Sequence, residues 1–139
     1  MKINSVAMSL TVEDVKASSD FLRKHFAFKE KWSADGFVYL VHENFDVPII
    51  FIETGKEVLP KVIRDQKASG VIVAFVVDDI EAEEKRLKAE GVVISAPLQE
   101  DPWGERLFEV TDPNGVVFQI VQWVVPADEQ YWNNNPGQQ

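Results

Sequence analysis

Shifted by 65 residues, the chain matches itself: Val12, Glu13, Asp14, Val15, Ala17 and Leu22 fall on Val77, Asp78, Asp79, Ile80, Ala82 and Leu87, with Lys16 against Glu81 the one change of type. A repeat of this kind commits both copies to the same local fold. Each copy ends a strand and starts a helix. Before the first, Val6, Met8, Leu10 and Val12 alternate with Ala7, Ser9 and Thr11, the period of two expected when opposite strand faces meet different surroundings. Before the second, Val71 to Val77 is apolar throughout. That strand is therefore expected to be buried on both faces, or to face the core on one side and an apolar cleft on the other. Asp14 and Asp79 stand where an N-cap carboxylate accepts backbone N–H groups. Val15, Leu22 and Phe26, or Ile80 and Leu87, then form the buried stripe, and Gly91 supplies a left-handed stop.

Three strand-like runs follow each helix. They are Phe28 to Ser33, Gly36 to His42 and Val47 to Glu53 in the first copy, and Val92 to Ser95, Glu105 to Thr111 and Val116 to Val124 in the second. Asp112-Pro113-Asn114-Gly115 is a strong hairpin turn, because proline presets φ while Asn and Gly tolerate positive φ. The order is βαβββ twice, an α+β arrangement in one domain over residues 1–125, with module one at 1–54, a connector at 55–70 and module two at 71–125. The connector is expected to hold a short helix around Val58 to Gln66 with Val62 turned inward. Residues 126–139 change to Pro, Asn, Gln and Gly, yet Tyr131 and Trp132 are costly to leave in water and are expected to anchor that tail.

Composition narrows the function. A chain of 139 residues suits one ordinary core. It has no apolar run near the roughly 18 to 20 residues that span a bilayer, and its polar start does not read as a signal peptide, so a cytoplasmic protein without membrane contact is expected. The absence of cysteine removes disulfides, thiolate zinc sites and a cysteine nucleophile. Fourteen basic against twenty-three acidic side chains give a net charge of −9. Such a field repels phosphate backbones, which argues against nucleic acid, and draws in cationic ligands, although an acidic surface also serves solubility.

The βαβββ repeat, the V-x-D-V-x-x-S entry to the first helix at Val12 to Ser18, and the run W-G-E-R-L-F-E-V-T-D-P-N-G-V-V-F-Q-I from Trp103 to Ile120 resemble the vicinal oxygen chelate superfamily. That group includes glyoxalase I, extradiol dioxygenases, fosfomycin-resistance enzymes and bleomycin-resistance proteins. The resemblance covers about residues 3 to 125. It implies a curved mixed sheet lining a cleft, and in the metal enzymes of the group it implies His or Glu ligands on the first and last strands of each module. Carried over to this sequence, those positions are Ala7 and Ile72 on the first strands, Gln119 on the last strand, and Phe51 on the fourth, or Glu53 if that assignment slips by two. A catalytic zinc needs three protein ligands and a hard divalent ion several oxygens, so neither a metal nor another cofactor is expected. One fold hosts many chemistries, and the site must decide between them.

The expected ligand-binding set is Ala7, Ser9, Phe51, Glu53, Ile72, Ala74, Trp103, Arg106, Gln119, Val121 and Trp123, mostly apolar with a few polar groups, as small-molecule pockets are. Side chains that merely fill the space of an absent metal are the competing reading. Trp103, beside Gly104, can stack on a planar or cationic ligand at the cleft mouth or pack on a sheet edge. Arg106 can meet a ligand carboxylate or pair with a neighbouring glutamate. His42 is a general base only if it reaches the cleft, and is otherwise a turn residue. His25 suits the C-terminus of the first helix. Trp32 and Tyr39 line the first half of the cleft or pack on the sheet. No catalytic residue is assigned. These features fit a metal-free homodimeric protein that sequesters a small, antibiotic-like ligand, as the bleomycin-resistance branch does. A glyoxalase-type lyase or dioxygenase is the alternative, and a metal-free isomerase a third reading.

Overall fold

The computed structural model describes residues 1–124. Its elements run β1 (Met8–Val12), α1 (Val15–Phe26), β2 (Lys29–Ala34), β3 (Phe37–His42), β4 (Phe45–Glu53), β5 (Ile72–Val76), α2 (Ile80–Ala89), β6 (Ile94–Glu100), β7 (Glu105–Thr111) and β8 (Val117–Trp123). This is an α+β fold of two βαβββ modules. The anchoring expected of Tyr131 and Trp132 concerns residues outside those described. Two compact units are present among the described residues: Met1–Val71 with Asp112–Val116, and Ile72–Thr111 with residues 117–124.

In the first unit the strand order is β1-β4-β3-β2, with β1 parallel to β4 and the other pairs antiparallel. One sheet face carries Leu10, Val12, Val38, Leu40, Ile49 and Phe51, all buried, and α1 covers it with Val15 and Leu22. Each such side chain contributes roughly 1.5–3 kcal/mol by leaving water. Asp14 caps α1, its carboxylate accepting the Ala17 N–H at 3.0 Å. The helix closes on Ala27 at φ 59°, a left-handed position more often given to glycine.

The connector differs from expectation. Residues 56–66 form successive turns rather than a helix, with Leu59 buried and Val62 80% exposed. Pro60 cannot donate a backbone hydrogen bond, and the Arg64 guanidinium donates to the carbonyls of Glu57 and Leu59, which a helix would need for its own ladder. Thr11 holds the segment's end to β1 through its hydroxyl on the Gln66 carbonyl and its own carbonyl on the Ala68 N–H.

The turn between β7 and β8 folds with the first unit. Gly115 takes φ 85° and its N–H reaches the Asp112 carbonyl. The Asp112 side chain, 4% exposed, accepts the N–H groups of Asn114 and Val116 and, at 2.5 Å, the hydroxyl of the buried Ser18 on α1. The Asn114 amide donates to the Asp14 carbonyl and to Ser18 Oγ, and its oxygen accepts the Asp14 N–H. The turn sequence thus serves twice, as a reversal and as a hydrogen-bonded clasp on the start of α1.

In the second unit the order is β5-β8-β7-β6, again with one parallel pair, β5 with β8. Val73, Phe108, Val110, Phe118 and Ile120 are buried on one face and Ile80 and Leu87 of α2 cover them. Asp79 caps α2 through the Ala82 N–H, and Gly91 follows it at φ 84°. The Gln122 side chain accepts the Ile80 N–H and fixes the helix start to β8. Although apolar throughout, β5 is not buried on both faces, since Ile72 and Val76 are 57% and 65% exposed. The last edge strand, β6, runs five residues beyond its expected end and includes Pro97. Its register shifts between Ile94 and Ala96 and again between Ala96 and Gln99, as an edge position allows.

Candidate functional site

Pairing across the second sheet shows which side chains share the face away from α2. Ala74 lies opposite Gln119, Gln119 opposite Glu109, Val76 opposite Val121, and Glu105 opposite Trp123. The expected site residues Ile72, Ala74, Gln119, Val121 and Trp123 therefore stand together on the face away from α2. Val121 and its neighbour Leu107 are buried, while Ile72 and Trp123 are more than half exposed. Gln119 Nε2 donates to Glu109 Oε1 at 2.9 Å, so the amide is held by the adjacent strand. Trp103 also comes to this face, its indole N–H donating to Glu105 Oε2 at 2.9 Å. Gly104 makes that approach possible: at φ 89° it turns the 101–105 loop back, and its carbonyl accepts the Val124 N–H. The face thus carries two carboxylates, an amide and two indoles around an apolar floor.

Arg106 does not belong to it. One residue out of phase with Glu105, it points to the helix side and donates to Glu81 Oε1 on α2 at 2.8 Å. The Glu81 carboxylate raises its pKa, and desolvation opposes that rise less strongly. Glu105 and Glu109, weighed in the sequence only as partners of Arg106, are the face's charged groups. The alternation of Glu105, Leu107 and Glu109 against Arg106, Phe108 and Val110 is the signal that places them there.

In the first unit Ser9 pairs with Ile50, Ile50 with Tyr39, and Tyr39 with Trp32, one row across the face opposite α1. Ala7, just before β1, is exposed. Phe51 is corrected: it pairs with Leu10 and Val38 and is fully buried on the α1 side. Glu53 is corrected with it, pairing with Val12 and placing its carboxylate 3.5 Å from Lys56 Nζ. The counterpart of Gln119 is Ile50, since each pairs with the residue two after the first-strand position. His42 is the last residue of β3, paired with Phe45 across the turn at 43–44. Its Nδ1 accepts the Asn44 N–H, and its ring stacks on Phe45 at 4.8 Å and meets Phe28 edge-on. His25 lies in the last turn of α1, edge-on to Phe21.

Residues 2–120 match the family model described as the glyoxalase/bleomycin resistance protein/dioxygenase superfamily. The chain belongs to that superfamily. Among solved structures, a glyoxalase/bleomycin resistance protein/dioxygenase from Nocardioides is 18% identical at a TM-score of 0.69, covering 89% of this chain and 85% of its own. TnmS3, an antibiotic binding protein from Streptomyces sp. CB03234, is 22% identical at 0.69 over 89% and 99%. Lactoylglutathione lyase from Agrobacterium tumefaciens is 16% identical at 0.68 over 88% and 96%. At these identities the likeness is one of fold. No curated protein matches the chain in sequence.

The superfamily's metal enzymes need donors that these residues do not supply. With the register corrected, the implied positions hold Ala7, Ile50, Ile72 and Gln119, and the one amide among them is bonded to Glu109. Among the described residues no three His, Asp or Glu side chains are grouped to hold an ion. In neither unit do these positions by themselves supply the three protein ligands of a catalytic zinc or the several oxygens of a hard divalent ion.

Proposed function

We propose that this member of the superfamily binds a small organic cation without metal, sequestering it rather than transforming it. The observation that carries the reading is the side-chain set at the metal positions, three of them aliphatic and the fourth an amide engaged by a carboxylate. The second sheet's face away from α2 adds what a cationic, partly aromatic ligand needs: Glu105 and Glu109 for charge, Trp103 and Trp123 for planar contact, and Val121 and Leu107 as a dry floor. Likeness of fold to an antibiotic binding protein supports the same direction. A homodimer is part of the proposal, as is a cytoplasmic setting, which the cysteine-free composition suits. Among the described residues no helix is long and apolar enough to cross a membrane.

Calorimetric titration with bleomycin-like cationic glycopeptides tests the ligand class. Saturable heat is expected, and its absence at high concentration overturns the choice. Sedimentation should show a dimer at about tens of micromolar.

A lyase or dioxygenase of glyoxalase type is the second reading, favoured by the likeness to lactoylglutathione lyase. It requires a stoichiometric, tightly held divalent ion, and metal analysis of the purified protein decides it.

A further inference from the structure

The first unit's open face contains a cation already seated on aromatic rings. Trp32 and Tyr39 lie directly opposite one another on β2 and β3 and meet edge to face at 4.7 Å between centroids. Lys31 Nζ stands 4.6 Å from the Trp32 centroid and 6.0 Å from that of Tyr39, both within the reach of a cation–π contact. Chain alternation alone would send Lys31 and Trp32 to opposite faces of β2. A bulge prevents this: Glu30 pairs with Leu40 and Trp32 with Tyr39, so Lys31 is an extra residue in the ladder. Bulges of this kind re-aim side chains.

Trp32 is 56% exposed, a large open indole in a row that continues through Tyr39 and Ile50 to Ser9. Packing does not account for leaving so much apolar surface in water on an edge strand whose residues are all exposed. A ring face that exchanges one cation for another does account for it. The protein's net charge of −9 favours cationic visitors over anionic ones.

We infer that Trp32 and Tyr39 form a recognition site for an organic ammonium or guanidinium group, and that Lys31 is its tethered internal occupant, displaced when the ligand arrives. This deepens the proposed function and rests on it, because it names the group through which a ligand engages the first module. The lysine acts as a competitor whose effective concentration is set by its own strand. Removing it opens the site instead of damaging it, the opposite of what a ligand-contacting lysine would show.

The test is titration of the full chain with tetramethylammonium chloride, following the Trp32 indole N–H by NMR at constant ionic strength. Its neutral isostere neopentane is too insoluble, so 3,3-dimethylbutan-1-ol serves as the uncharged probe. A saturable shift with the cation and none with the alcohol is expected. Lys31→Ala should tighten binding about two- to fivefold, the range an exposed cation–π contact supplies. Lys29→Ala, which removes the same charge from the same strand, should change it by less than twofold. Tyr39→Leu, which retains the indole reporter, should weaken binding, and Trp32→Ala, followed instead through the Tyr39 ring resonances, should abolish the saturable shift.

Equal response to the neutral alcohol, weaker binding by Lys31→Ala, or identical effects of Lys31→Ala and Lys29→Ala would each overturn the inference. Preferential binding of benzoate over the cation would overturn it too. Failure here with glycopeptide binding retained leaves the proposed function standing, whereas loss of glycopeptide binding with a working ammonium site removes only that function.

Discussion

Replacing Asp112 by alanine should destabilise the protein by about 3–5 kcal/mol, a large share of the roughly 5–15 kcal/mol that holds a domain of this size together. The magnitude follows from what the carboxylate satisfies. Oδ1 accepts the N–H groups of Asn114 and Val116 at 2.8 and 2.9 Å, and Oδ2 accepts the Ser18 hydroxyl at 2.5 Å. The Val116 bond and the Ser18 bond are buried, so their donors are left dry and unpaired at roughly 1–3 kcal/mol each, and the half-buried Asn114 donor adds less. Ser18→Ala should cost about 1–2 kcal/mol, because it removes one donor to Asp112 and the acceptor of the Asn114 amide. The two changes share a bond. Once Ser18 is gone, Asp112→Ala orphans one donor fewer, and the double variant should be less destabilised than the sum by about 1–2 kcal/mol. Urea unfolding of the full chain, followed by tryptophan fluorescence at constant m, measures all four corners of the cycle. Additivity within about 0.5 kcal/mol would refute the clasp, as would an Asp112→Ala cost under about 1 kcal/mol.

Other changes probe other contacts. Gln119→Leu removes the donor to Glu109 and should lower stability by about 0.5–1.5 kcal/mol in urea while leaving calorimetric affinity for the cationic ligand nearly unchanged; lost affinity at full stability would show that the amide orients ligand instead. Gly36→Ala places a methyl at φ 71° against the Lys56 and Glu53 side chains and should cost about 1–2 kcal/mol by the same unfolding assay, with wild-type stability counting against the tight turn. Lys56 is held above its ordinary 10.5 first by its hydrogen bond to Asp35, then by the charges of Asp35 and Glu53. A raised folded pKa contributes stability that is complete below the unfolded value and fades as pH rises through the folded one. Lys56→Met should therefore flatten the loss of stability above about pH 10.5, most clearly at low salt, and an unchanged alkaline slope would contradict the ion pairs.

The two βαβββ modules, the aspartate caps and the D-P-N-G reversal were legible in the sequence because each depends on neighbours a few residues apart. Period-two alternation, an N-cap carboxylate and a proline followed by residues tolerant of positive φ act locally. That Ile72, Ala74, Gln119, Val121 and Trp123 share one face of the second sheet was legible for the same reason, since counting from two local landmarks, Asp79 and Asp112, preserves the phase of both strands. Phe51 and Glu53 were misplaced where that logic failed. Residues 47–52 read V-P-I-I-F-I, apolar at every position, so nothing in the strand marks its inner face. Its partner β1 is more than thirty residues earlier, and a slip of one residue exchanges the two faces. Arg106 shows the same division: its alternation with Phe108 was visible, but its partner, Glu81, is brought to it only by the packing of α2. The connector's helix likewise lost to contacts made by Arg64 and Thr11. Local sequence determined which elements form and where they turn, because those preferences are set within one turn or one pleat. Strand register, the aim of Lys31 at the β2 bulge and the clasp of Asp112 on Ser18 were decided by tertiary structure, because each joins groups whose meeting depends on the whole unit having closed.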